Sequence, residues 1–395
     1  MIAHTNRPDQ REVNISSALK LAAQEYNASR LTEAENIYRQ ILQANPDHPI
    51  ALHMMGLIAH QAGKNEIAIE LITRAAEVKP EYAEAHNNLG IVFQHQGKLE
   101  EALAHYQKAL SMQPDFAEPH NNIGLALQNL NRPNEASSSY RKALRINPNY
   151  AEAHYGLGEL ARQANKPEEA IAHYQKAINI KPDFYEAHFH LAFALKGLGH
   201  LNDAVTAYKQ AIAVNAQSIE PHINLAALYY ELGWLEKADE SYRKLLELRP
   251  ESADILNNYG VLLKDLGKLA DAAAKYRKAI LLNPNSSSAY FNLGVVLHDL
   301  GQLEEAVSNY QQSLKIDPRN EITHNNLGNV LRILGRMDEA IDSYQRALAL
   351  EPNYHLAHYN LGLTLRDLGR LDDAVHSLEK TIALKPDYSD AYSIL

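Results

Sequence analysis

Two side-chain types able to bind or to do chemistry recur at a fixed interval. Histidine stands at His86, His120, His154, His188 and His222, each 34 residues after the last, and again at His324 and His358 in the same register. Asparagine stands two places further on, at Asn88, Asn122, Asn224, Asn258, Asn292, Asn326 and Asn360, with Gly156 and His190 interrupting the column and Met54 preceding it. A column of imidazoles has the donor type of a metal site. Neighbouring helices in a stack lie about 8–10 Å apart, whereas metal–nitrogen bonds are about 2 Å long. One imidazole per helix therefore does not converge on an ion, and packing between helices is the expected role. The asparagines have a different capacity. A carboxamide carries two donors and an acceptor, so it can bond a peptide backbone without reading side chains. An extended chain rises about 3.3 Å per residue, so one asparagine per unit would meet roughly every third ligand residue. Each bond adds about 1 kcal/mol net. The alternative is that these asparagines cap or solvate a helix, against which stands the cost of Asn relative to Ala in a helix interior.

The elements that must position these columns follow from the same interval. Pro46, Pro80, Pro114, Pro148 and Pro182 are spaced by 34, Ala216 takes the next place, and the series resumes from Pro250 to Pro386 without insertion or deletion. An alanine column runs unbroken from Ala34 to Ala374. Residues 83–116 illustrate one unit. AEAHNNLGIVFQHQ has Leu89, Val92 and Phe93 at i, i+3 and i+4, the pattern of a helix. Gly97 ends it, because a left-handed cap suits glycine, and Asn131 and Asn165 are the next best residues in that place. LEEALAHYQKAL places Leu99, Ala102, Leu103 and Tyr106 on one stripe of a second helix, which Pro114 closes. Gly90 and Ala102 are small where the helices cross, and Tyr106 fills the space beside them. One such hairpin cannot bury its apolar face, whereas a stack can.

Numbering each unit from Ala83 and its equivalents, His86, Leu89-Gly90, Ala102, Tyr106 and Pro114 fall at positions 4, 7–8, 20, 24 and 32. These columns resemble the tetratricopeptide repeat, and eleven units fill residues 15 to 388. The resemblance implies an all-α, right-handed superhelical solenoid of eleven helix-turn-helix repeats, whose first helices line a concave groove. It also implies a protein-interaction scaffold that holds peptide or protein segments there. Position 6, the asparagine column, faces that groove in the family's geometry. Asn87-Asn88, Asn121-Asn122 and Asn325-Asn326 also resemble the repeat arm of the O-linked N-acetylglucosamine transferases, where an asparagine ladder holds substrate backbones. On that likeness the chain would be the substrate-recognition arm of a larger enzyme.

The ladder is interrupted where aromatic residues gather. Tyr155 and Phe189 stand at position 5 and Phe193 at position 9; with Ile223 they either anchor a partner's side chain or pack between repeats. Repeats five to seven are the most irregular, with Ala192, Ala216, Ala226 and the only tryptophan, Trp234, and are expected to bend differently or to carry a specific contact. Positions 5 and 9 lack the basic residues with which related repeats clamp a C-terminal carboxylate.

The sequence carries no phosphate loop, HExxH or nucleophile elbow. Acidic pairs fall at second-helix starts, where they suit the helix dipole. No catalytic residue, cofactor or metal is expected. Net charge is −10, with 48 acidic against 38 basic residues, which disfavours nucleic acid and anionic membranes as partners. Cysteine is absent, which fits a reducing compartment. Residues 1–14 read as a polar tail carrying Asp9 and Glu12, unlike a signal peptide, and no apolar run suits membrane insertion. A cytoplasmic protein is the expectation. Residues 389–395 read as the start of a truncated twelfth repeat. That end leaves Tyr392, Ile394 and Leu395 uncovered, so either a longer parent chain or self-association through the tip is expected.

Overall fold

The computed structural model describes residues 15–395; the polar tail expected over 1–14 lies outside the described residues. Among these, every regular element is an α-helix, from Ile15–Asn27 to Ser389–Ile394. Residues to Ala207 form one compact unit and Tyr208–Leu395 a second. In both units the helices alternate between a first helix of 13 residues and a second of 14, as in Ala83–His95 followed by Leu99–Met112. The chain is thus an all-α solenoid of 34-residue repeats, with the short helix Ser389–Ile394 after the last.

The glycine columns do two separate things. Gly97 has φ +75°, and Asn131 and Asn165 adopt 56° and 55°, so the left-handed turn between the two helices is as expected from these residue types. Gly90 is inside a helix and is small for another reason. A Cβ built on it would lie 2.4 Å from the Tyr106 ring, which is fully buried against its backbone. The same pairing recurs as Gly124 with Tyr140, Gly260 with Tyr276 and Gly328 with Tyr344. In these hairpins the tyrosine is the keystone and glycine the notch that receives it, while Ile72 and Leu378 take the tyrosine's place against Gly56 and Gly362.

Burial follows the predicted stripes. Ala102, Leu103 and Tyr106 join Ile123, Ala126, Leu127 and Tyr140 in one core that continues into the next repeat at Ala153 and Leu157. In the second unit Leu256, Ala279 and Ala289 form a comparable junction. Removing apolar surface from water at about 25 cal/mol per Å² is what couples each hairpin to the next.

Candidate peptide-binding face

The position-4 histidines hold the loops between repeats. His188 donates its Nε2–H to the Pro182 carbonyl (2.9 Å), His324 to Pro318 (3.1 Å) and His358 to Pro352 (3.0 Å), each six residues back. His222 makes the same bond to Ala216 (3.2 Å), so the interaction needs the carbonyl and not the proline ring. His86 and His154 also face second-helix histidines, with Nδ1 3.3 Å from His105 and His173 respectively, and His154 interacts with the Pro148 carbonyl as well. Burial, with Lys108 and His105 beside it, pushes the pKa of His86 down to about 4; burial and Lys176 lower that of His154, against the Pro148 carbonyl.

The asparagine column is more structured than a row of free carboxamides. Asn122 donates Nδ2–H to Asn87 Oδ1 of the preceding repeat at 3.1 Å, Asn292 to Asn257 at 3.1 Å and Asn360 to Asn325 at 3.0 Å. Asn88 makes the corresponding bond to His53 Nε2 at 2.7 Å. These rungs join position 6 to position 5 of the repeat before, at an interval of 35. Because His53 Nε2 accepts, its Nδ1–H donates to the Tyr82 hydroxyl at 2.8 Å. Burial pushes the pKa of His53 down to about 4, which suits this neutral tautomer. Asn87 and Asn325 are buried and Asn257 half-buried, and their role as rung acceptors is not legible at the 34-residue period, where position 5 reads as a place for aromatic anchors or a carboxylate clamp. Co-occurrence at 35 rather than 34 is the signal that would have found them.

A second rail joins positions 12 and 13 at the same interval. Gln61 donates to the Tyr26 hydroxyl (2.8 Å), His60 pairs with His95 (2.8 Å), Tyr230 donates to Asp265, and Arg332 meets Asp367 (3.4 Å). Position 12 of one repeat thus sits beside position 13 of the next, two helical turns from the asparagine rail and on the same helix face.

The seven asparagines are not equivalent. Where position 5 of the previous repeat is polar, as before Asn88, Asn122, Asn292 and Asn360, the carboxamide is locked into a rung. Asn224 folds back on its own helix and donates to the Glu220 carbonyl at 2.8 Å, a helix-solvating role. Asn258 follows Ile223 and is exposed. Asn326 follows Phe291 and is half-buried.

In the first unit, Tyr155 is half-buried with ring centroids 5.1 Å from Phe184, 5.9 Å from Tyr174 and 5.9 Å from His190. Phe189 lies 5.3 Å from His190 and 6.3 Å from Tyr185. Tyr155 and Phe189 therefore pack around His190, while Phe193 is 53% exposed. Ile223 belongs to the second unit. Beneath the aromatics is a buried carboxylate that the sequence did not single out. Glu159 accepts from Arg162 (2.7 and 3.2 Å) and from the Tyr174 hydroxyl, with His190 3.5 Å away. Burial opposes its charge, but these partners hold its pKa below the usual carboxylate value. Trp234, the irregularity of the seventh repeat, packs on Tyr229 with a centroid distance of 5.8 Å and carries the Lys237 ammonium 4.1 Å from its ring.

A repeating helical scaffold with a polar seam along its first helices, broken where position 5 is apolar, is the architecture of a protein-binding repeat. Sequence-family models described as tetratricopeptide repeats match residues 83–116, 121–185 and 355–388, and a further TPR-repeat model matches five overlapping segments between 197 and 365. The chain belongs to the tetratricopeptide-repeat family, whose fold is in general a non-catalytic protein-interaction scaffold. No curated protein matches it as a relative. Among solved structures, it is similar to YrrB, described as a TPR protein with an unusual peptide-binding site, at 26% identity over 48% of this chain and 97% of that one, with a TM-score of 0.43. It is also similar to MamA, at 23% identity over 42% of this chain and 97% of that one, with a TM-score of 0.40. The APC/C hetero-tetramer Cut9–Hcn1 matches 97% of this chain and 96% of its own at 12% identity, with a TM-score of 0.47. No helix among the described residues is long and apolar enough to cross a membrane.

Proposed function

We propose that this chain captures extended peptide segments of partner proteins along the face of its first helices that carries position 6. The observation that carries the reading is the asparagine column, partly exposed in a helix position where alanine would be more favourable, and recurring beside exposed or half-buried apolar residues. A rung uses one Nδ2 hydrogen and leaves the other, so even locked asparagines retain a donor. Tyr155, Phe189 and the exposed Phe193 add an apolar stretch where the asparagines are missing, suited to a partner's side chain. Binding of this kind draws on the ligand main chain and is promiscuous in sequence.

The test is a cellulose array of twelve-residue peptides probed with the full chain and with a variant in which Asn258, Asn292 and Asn326 are all alanine. The reading expects peptide-dependent retention that the triple variant loses by about tenfold or more, from three bonds of about 1 kcal/mol each with incomplete additivity. Equal retention of both proteins refutes it.

A further inference from the structure

Tyr310, a hub tyrosine of the second unit, has a hydroxyl that is left over. Several of these hydroxyls donate to their own first helix, Tyr106 to Gln94 (2.9 Å), Tyr140 to Gln128 (3.1 Å) and Tyr344 to Asn329 (2.9 Å). Tyr310 is fully buried, and the equivalent places facing it are Val295 and His298; its hydroxyl has no hydrogen-bond partner among the described residues. A buried donor without an acceptor is costly and calls for a reason. Three groups surround it. The Phe291 ring lies 6.0 Å from the Tyr310 ring. Asn326 lies close enough to interact with the hydroxyl but makes no hydrogen bond of good geometry to it, and its Oδ1 accepts from Asn325 Nδ2 at 3.4 Å; Asp299 is within electrostatic reach. Phe291 offers no acceptor at position 5, so Asn326 lacks the rung that locks Asn292 and Asn360. Asp299 is exposed and makes no ion pair among the described residues, whereas Asp265 and Asp367, in the same column, are engaged by Lys264 and by Arg332 and Arg366.

Resting on the peptide-capture reading, we propose that Tyr310, Asn326, Phe291 and Asp299 form a subsite selective for a basic, extended peptide segment. Asn326 exchanges the long 3.4 Å contact of its Oδ1 with Asn325 Nδ2 for the Tyr310 hydroxyl, which directs both of its Nδ2 hydrogens to a ligand carbonyl. Phe291 borders an apolar ligand side chain. Asp299 stands on the same helix face, two turns from position 6, where a lysine or arginine of the ligand completes its missing ion pair. The overall charge of −10 acts in the same direction by favouring cationic segments on approach.

A phage-displayed library of random twelve-residue peptides, selected on the full chain, is the probe. The expected result is enrichment of lysine or arginine together with an apolar residue. Selected peptides, remeasured by fluorescence polarisation, should bind Asn326→Ala and Asp299→Asn about fivefold or more weakly, and Tyr310→Phe about twofold to fivefold more weakly with no loss of thermal stability. Ser308→Ala, at an exposed place on the second helix Leu303–Ile316 and away from the position-6 face, should bind as the parent does. Selected peptides that are acidic, or that bind the Asn326 and Ser308 variants alike, overturn the subsite while leaving peptide capture intact. Failure to enrich any peptide overturns peptide capture itself, and the subsite with it.

Discussion

Replacing His53 with asparagine retains the rung to Asn88 and removes the proton-binding site beneath it, because asparagine fills the same place in the rungs made by Asn87, Asn257 and Asn325. The folded chain holds His53 neutral down to about pH 4, whereas an unfolded histidine takes a proton at about 6.5. Between those values the unfolded state binds the extra proton, so stability present above pH 6.5 is lost as the pH falls toward 4. The difference corresponds to about 3 kcal/mol. Protonation would also set an Nε2–H against the Asn88 donor, breaking the 2.7 Å contact. His53→Asn escapes this loss but leaves the Tyr82 hydroxyl without the Nδ1–H, which costs about 1 kcal/mol at neutral pH. The two stability profiles therefore cross: the variant is the weaker protein at pH 7.5 and the stronger at pH 4.5. Urea unfolding followed by circular dichroism measures both, and the shared behaviour of the other histidines cancels in the comparison. An NMR titration of the His53 ring provides the direct reading. A ring titrating near 6.5, or parallel pH profiles for the two proteins, refutes the reasoning.

Other outcomes follow from the same geometry. Gly90→Ala places a Cβ against the buried Tyr106 ring and should cost about 1–3 kcal/mol in thermal unfolding despite the better helix propensity of alanine; adding Tyr106→Leu should recover part of it, since Leu378 already faces Gly362 in the last repeat. Gly97→Ala, at φ +75°, should destabilise by about 1 kcal/mol and Gly97→Asn by less, a ranking that differential scanning calorimetry resolves. Asn292→Ala leaves the Asn257 acceptor unpaired and should lower stability by about 1 kcal/mol, whereas Asn258→Ala should leave stability unchanged. Arg162→Leu removes the main partner of the buried Glu159 carboxylate and should destabilise by about 3 kcal/mol, with the carboxyl pKa rising in an NMR titration.

Local and periodic features were legible in the sequence because each is set within one repeat. The 34-residue interval, the helix pairs, the left-handed positions of Gly97, Asn131 and Asn165, and the burial of Tyr106 and Ala102 depend on contacts a few residues apart or on a stripe of fixed pitch. The place of the asparagine column on the first helix was legible for the same reason. The state of each asparagine was not. Whether a carboxamide is locked depends on which residue of the preceding repeat stands beside it, and that neighbour is one place out of register, at 35, because adjacent first helices pack offset. Asn292 and Asn326 read alike in the sequence, yet one bonds Asn257 and the other follows Phe291. The glycine at position 8 read as a helix crossing with the tyrosine filling the space beside it, and packing added that the ring sits directly against the glycine backbone. Sequence by itself thus determined the repeat, its helices and the types of side chain on each face. Tertiary structure decided which polar groups bond each other and which remain for a partner, since hydrogen bonding between repeats is settled by offset and distance that a periodic pattern does not contain.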